Sequence, residues 1–271
     1  LFSANLEGKG MQLSGRVALI TGSTSGIGVA VARTLAAEGA DIVLNGFGET
    51  AGIEALRVDL ETRYQVRVVY HGADMRRPSE IAEMVADAER RMGHVDILVN
   101  NAGIQHTAPI EIFPPERWEA IIAVNLSSCF YAIRAALPGM RARGWGRIVN
   151  IASVHGLVAS TDKSAYVAAK HGLIGLTRSV ALETARSPIT CNAICPGWVL
   201  TPLVDAQIEA RAMREDVSRD TAKARLVSEK MPSGEPVVPE ALGQLVAYLC
   251  SAAADQIRGA ALPVDGGWTA Q

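Results

Sequence analysis

A chain of 271 residues with 49% apolar and 20% charged residues is sized for one large α/β domain with a substantial core, and its composition excludes a disordered tail. A formal net charge of −2 gives no broad electrostatic reason to bind nucleic acid or an anionic membrane, so any anion site has to be local. Cys129, Cys191, Cys195 and Cys250 form no CxxC pair and have no nearby histidine set, so they read as buried thiols in a reducing cytoplasm, and no metal is expected.

Residues 1–10 precede Met11 without the basic start and long apolar run of a secretory signal, and read as a leader outside a single domain at 11–271. The apolar run 17–20 reads as a buried strand and 26–38 as a helix ending at Gly39. Between them lies TGSTSGIG (21–28). Its glycines let the backbone turn sharply and approach a pyrophosphate at the helix N-terminus, which assigns Gly22, Thr24, Ser25, Gly26, Ile27 and Gly28 to a dinucleotide cofactor. A second strand, 41–45, runs into the turn Asn45-Gly-Phe-Gly48, which has no acid for a ribose 2′-hydroxyl. Neither that turn nor the first glycine loop holds an Arg or Lys for a 2′-phosphate, which favours NAD over NADP and puts Phe47 at the adenosine end.

Residues 49–63 read as a helix and 66–70 as a third strand, after which Asp74 is placed to meet the adenine amino group. Pro78 suits the first turn of a further helix. A fourth strand, 95–99, ends in NNAG (100–103), another glycine turn that brings Asn101, Ala102 and Gly103 to the same crevice. A long helix at 115–141 carries Asn125, and the fifth strand, 147–151, leads to Ser153. In a second long helix, 165–184, Tyr166 and Lys170 fall one turn apart on one face. The last strands are 189–194 and 261–264, with Pro196, Gly197, Val199 and Thr201 just beyond the first of them.

Strands and helices alternate, and the strands are apolar throughout, as in a parallel sheet covered on both faces. The expected architecture is therefore a single doubly wound, Rossmann-type domain. Residues 201–232 interrupt the alternation with two charged helical stretches, 203–214 and 218–230. This insertion reads as a small helical lid, with a solvated hairpin as the other reading.

Taken together, TGSTSGIG, NNAG, Asn125, Ser153 and the YxxxK pair resemble, in order and spacing, the short-chain dehydrogenase/reductase family from about Met11 to the end. The resemblance implies that Tyr166 takes the proton of a substrate hydroxyl while hydride passes to the nicotinamide. It also implies that Lys170 favours the phenolate and holds the ribose, that Ser153 bonds the reacting oxygen, and that Asn125 supports a water relay. Pro196, Gly197, Val199 and Thr201 match the segment that orients the carboxamide. A phenol is a poor base at neutral pH unless a cation stabilises its anion, which gives the lysine its purpose.

Gln105, His155, Lys163 and Gln207 fall near the same cleft and suit a small carboxylate. The segments around them, with residues 197–204, are similar to the D-3-hydroxybutyrate dehydrogenase branch of the family. That similarity implies that these four residues bind the substrate carboxylate and that Trp198 lines the pocket around the alkyl chain. It further implies reversible, NAD-dependent interconversion of (R)-3-hydroxybutyrate and acetoacetate, in a homotetramer built on the two long helices. Trp268 reads either as a pocket wall supplied by a neighbouring subunit or as terminal packing. Asp205 beside an anion site, and Arg211, Arg214 and Arg219, which suit a larger anionic substrate, depart from that pattern. A 3-oxoacyl thioester reductase and a non-catalytic nucleotide-sensing scaffold stay open as other readings.

Overall fold

The computed structural model describes residues 11–271, so the expected leader lies outside the described residues. Seven strands, β1 (Val17–Ile20), β2 (Asp41–Asn45), β3 (Val68–His71), β4 (Ile97–Asn100), β5 (Gly146–Ile151), β6 (Ile189–Pro196) and β7 (Ala261–Val264), form one sheet in the order 3-2-1-4-5-6-7, all parallel. β1, β4, β5 and β6 are buried along their whole length, because helices cover both faces and no side chain can turn to water.

On one face α1 (Gly26–Ala37), α2 (Thr50–Tyr64) and α9 (Pro239–Cys250) bury Val31, Leu35, Leu60, Leu242, Val246 and Leu249 against the sheet. On the other, α3 (Pro78–Met92), α5 (Ser128–Arg143) and α6 (Ser164–Glu183) bury Met84, Val85, Ile133, Met140 and Val180. The run Pro115–Arg143 has the length and apolar character of a membrane span, yet it lies against α3 and the sheet. The strand order reverses between β1 and β4, which opens a crevice beyond their carboxyl ends, the usual position for a ligand in an open α/β sheet.

Three features differ from the sequence expectation. The helix expected at 115–141 is α4 (Pro115–Ile122), a π-turn (Ala123–Ser127) and then α5. The π-turn forms where the Asn125 amide clamps the backbone of Ile104, accepting from its N–H and donating to its carbonyl, both at 2.9 Å. The third and fourth strands begin at Val68 and Ile97 rather than at residues 66 and 95. Helix α9, which the sequence reading passed over, packs on α1.

The insertion folds as α7 (Pro202–Glu215) and α8 (Arg219–Ser228). Val204 and Ile208 of α7 meet Ala222 of α8 and the edge of Trp198, while Val227 and Met231 close over Val154 and Trp268. The insertion thus buries an apolar face against the cleft wall.

Candidate active site

The cleft, about 560 Å³, runs across the carboxyl ends of the central strands from the glycine loop to Trp268. At its cofactor end the chain turns sharply after β1, with Gly22 and Gly26 both at positive φ (63° and 53°). A side chain at Gly22 would meet the Ala102 Cα at 2.9 Å, so the first loop and the NNAG turn are in direct backbone contact. Asn101 ties them further, donating through Nδ2 to the Thr21 and Gly22 carbonyls, while Thr21 Oγ1 accepts from the Asn101 and Ala102 N–H groups. Thr24, Ser25, Gly26, Ile27, Ala102 and Gly103 line the cleft, as expected, whereas Gly28 packs behind the turn.

Helix α1 begins at this loop with no side-chain cap on its first N–H groups and no acid in its first turn. Those donors and the positive end of the helix face the cleft, a donor set suited to a pyrophosphate.

Phe47 borders the adenosine end, 66% exposed. Asp74 lies there too, with its carboxylate held by Arg76 at 2.6–3.0 Å and kept below the usual carboxylate range by those bonds. Two residues that the sequence reading passed over shape this end. Asn45 is fully buried, accepting from the Gly22 N–H and donating to the His71 and Ala73 carbonyls. Arg76, which lines this end of the cleft, is committed to Asp74, and Arg77 stands 3.9 Å from the same carboxylate. The position of Asn45 at a strand end was legible, but the Asp74–Arg76 pair needed the loop conformation.

Gly197, Val199 and Thr201 border the cleft beyond β6 with Pro196. Thr201 caps α7, its Oγ1 accepting from the Val204 N–H, and stands against Gly26 of the first loop.

Ser153, Tyr166 and Lys170 converge where β5 ends and α6 begins. Lys170, buried, donates from Nζ to the Ile151 carbonyl at 2.8 Å, with Nζ 5.5 Å from the Tyr166 ring centre. This bond fixes the ammonium beside the phenol one helical turn away. Asn125 is brought close, with its amide clamping the Ile104 backbone and its π-turn beside the cleft.

Gln105, His155, Lys163, Trp198, Gln207 and Trp268 all line the same end of the cleft. Trp268 lines this chain's own pocket, 5.5 Å from His155 and 5.9 Å from Trp198. Lys163 Nζ stands 5.1 Å over the Trp198 ring, and no carboxylate pairs with it among the described residues. Burial pushes its ammonium below the ordinary lysine range.

The arginines of the insertion are committed elsewhere. Arg211 pairs with Glu215 and Glu229, Arg214 with Glu215, and Arg219 with both Asp205 and Glu209. Asp205 is thereby balanced, and the arginines have carboxylate partners of their own rather than standing open for a larger anion.

His155 is 5% exposed and held down to about 4 by burial, with the Lys163 ammonium adding to it, so it is neutral at pH 7 and Lys163 is the cation of this group. The unfolded chain protonates this ring near the ordinary 6.5, so it binds the extra proton first and stability falls as pH drops from 6.5 towards 4. The loss amounts to about 3 kcal/mol at 1.4 kcal/mol per unit. Chemical denaturation from pH 7 to pH 4 should show the unaltered protein losing about that much more stability than His155→Gln; parallel curves would refute a buried neutral imidazole.

The family model described as short chain dehydrogenase matches residues 16–212. D-beta-hydroxybutyrate dehydrogenase of Cupriavidus necator is 58% identical over 260 residues, covering 96% of this chain and 100% of the relative. The protein of the same name from Rhizobium meliloti is 53% identical over 260 residues, covering 94% and 99%. Among solved structures, an actinorhodin polyketide ketoreductase variant with NADPH matches at a TM-score of 0.88 and 38% identity, covering 95% of this chain and 98% of that one.

Proposed function

Because this chain belongs to the short-chain dehydrogenase family, we propose that it catalyses the reversible, NAD-dependent oxidation of (R)-3-hydroxybutyrate to acetoacetate in the cytoplasm. The observation that carries this reading is Lys163, an ammonium in the catalytic cleft without a protein carboxylate beside it. A partly buried cation of that kind is stabilised by an anionic ligand, and a short hydroxy acid puts its carboxylate there while its carbinol faces Ser153 and Tyr166. Gln105 and Gln207 border the same end and suit the remaining carboxylate lone pairs, and Trp198 and Trp268 enclose the methyl end. The names of the two relatives at 58% and 53% identity agree with this substrate.

Tyr166, as phenolate, takes the hydroxyl proton; Lys170 stabilises that phenolate; and Ser153 donates to the reacting oxygen in either direction. NAD, when bound, supplies the acceptor for the hydride leaving the carbinol carbon. The glycine loop, Phe47, Asp74, Asn101, Ala102, Gly103 and the 196–201 segment would hold it, and Lys170 has donors left for its ribose. Preference for NAD over NADP is supported by the same charges: among the described residues Arg76, which lines the adenosine end, is bound to Asp74, and neighbouring Arg77 is paired with Glu80 and Asp74. Exposed Trp118 and Phe130 on the α4–α5 run, and Leu182 on α6, support a homotetramer through those helices.

The deciding experiment offers NAD or NADP with short 3-hydroxy acids, their methyl esters and neutral secondary alcohols, and follows reduced nicotinamide by absorbance. The free acid should be preferred over its ester, and preference for the ester would point to 3-oxoacyl thioesters instead. Lys163→Ala should raise KM for hydroxybutyrate by about 10- to 100-fold, equivalent to roughly 1.4–3 kcal/mol of charge-assisted binding, and should leave the ester's KM nearly unchanged.

A further inference from the structure

A second serine faces the catalytic one from the far side of the buried imidazole. Ser153 Oγ accepts the His155 backbone N–H at 3.1 Å and faces Nδ1 of the same ring at 3.4 Å, while Nε2 faces Ser160 Oγ at 2.8 Å. We propose that Ser160 is a positioning residue that, through His155, fixes Ser153 as a hydrogen-bond donor to the reacting oxygen. This inference rests on the dehydrogenase reading above.

Hydrogen-bond donors at the ring are limited in number. A neutral imidazole carries its proton on one nitrogen only. With the proton on Nε2, that nitrogen donates to Ser160 and the bare Nδ1 competes for the Ser153 proton, so the hydroxyl is spent on the protein. With the proton on Nδ1, the ring donates to Ser153 Oγ together with the backbone N–H. Two donors then occupy the oxygen, and the Ser153 proton is left to point at substrate. Both the alcohol of one direction and the ketone of the other need a donor at that position, so only the second arrangement serves catalysis.

The second arrangement leaves Nε2 bare, and a donor must satisfy it. Ser160 supplies that donor at the shorter of the two ring contacts, and its hydroxyl has no other partner among the described residues. Ring rotation would destroy the chain, and packing prevents it: Tyr166 and Trp268 meet the imidazole at steep angles, 77° and 78°, with centres 5.9 and 5.5 Å away. Burial and the neighbouring Lys163 keep the ring neutral, so the two tautomers are the only alternatives.

Ring nitrogen-15 shifts of His155 in the protein with NAD bound should show the Nδ1–H tautomer, and Ser160→Ala should shift it towards Nε2–H. The same variant should lose about tenfold in kcat for hydroxybutyrate, the scale of one hydrogen bond, with KM within about twofold, and Ser160→Thr should recover most of the loss. An Nε2–H tautomer in the unaltered protein, or an unchanged kcat in Ser160→Ala, overturns the proposal. A rise confined to KM does so too, because it would assign Ser160 to the carboxylate end. Absence of any hydroxybutyrate turnover in the unaltered protein would sink the substrate reading alone, since the tautomer is read without substrate.

Discussion

Tyr166→Phe is expected to lower kcat/KM for hydroxybutyrate by about 10³-fold or more, within the usual range for loss of a general base, while NAD affinity stays within about twofold. The substitution removes one oxygen and leaves the ring to pack against His155, so thermal stability should not move appreciably. Lys170 remains anchored to the Ile151 carbonyl, and Ser153 still accepts from the His155 N–H. The cleft would therefore keep its shape and its cation but have no group able to take the carbinol proton. Steady-state assays with hydroxybutyrate, paired with NADH titration of the variant, separate chemistry from binding. Turnover at the unaltered rate would end the mechanism.

The expected loss differs from that of Lys163→Ala because the two residues act on different states. In the proposed reaction Lys163 meets the carboxylate equally before and during hydride transfer, so its removal would appear in KM. The phenolate changes its protonation along the reaction, so its removal appears in kcat. A cleft in which those signatures were exchanged would have its catalytic and binding ends reversed.

Much of this was legible in the chain because two signals do not depend on long-range contacts. Strands buried on both faces must be apolar, which is why β1 and β2 fall where the sequence reading expects them, while β7, a half-buried edge strand, is found by its short apolar run alone. Glycines after a strand mark sharp turns, which located the cofactor end. Where the reading drifted, tertiary structure decides. The π-turn at Ala123–Ser127 depends on Asn125 reaching the backbone of Ile104 in a different loop. Arg219 looks available in sequence, yet it crosses from α8 to Asp205 and Glu209 on α7. By contrast, α9 did leave a signal, with Pro239 in its first turn and Leu242, Val246 and Leu249 on one face. Ser160 left none, since a serine in a loop acquires its meaning only from the imidazole above it.

Gly28→Ala should be the most damaging small substitution at the cofactor end. Gly28 lies in the first turn of α1 with ordinary helical geometry, so what alanine violates is space, not backbone conformation. The added methyl would overlap the Gly22 carbonyl oxygen and come within 2.7 Å of both Ser23 Cα and Asn101 Nδ2. None of these can retreat freely: the Gly22 carbonyl accepts from Asn101, Ser23 is tied to the Ile20 and Asn45 carbonyls, and Asn101 is bound to Thr21. Relief requires the glycine turn to swing away from the NNAG turn, which opens the surface that the pyrophosphate would contact. The expected result is a loss of NAD affinity of at least about 100-fold, with destabilisation of about 1–3 kcal/mol from overpacking. Gly52→Ala is the matched control, because nothing lies within 4 Å of the new methyl on the exposed side of α2. That change should leave NAD binding unaltered and raise stability by up to about 0.5 kcal/mol, as expected for replacing a glycine in the first turn of a helix, where the gain is smaller than in its interior. Calorimetric titration with NAD and thermal melts of the two variants side by side would test both. Equal cofactor affinity in the two would show that the close contact between the first helix and the glycine turn does not shape the binding surface.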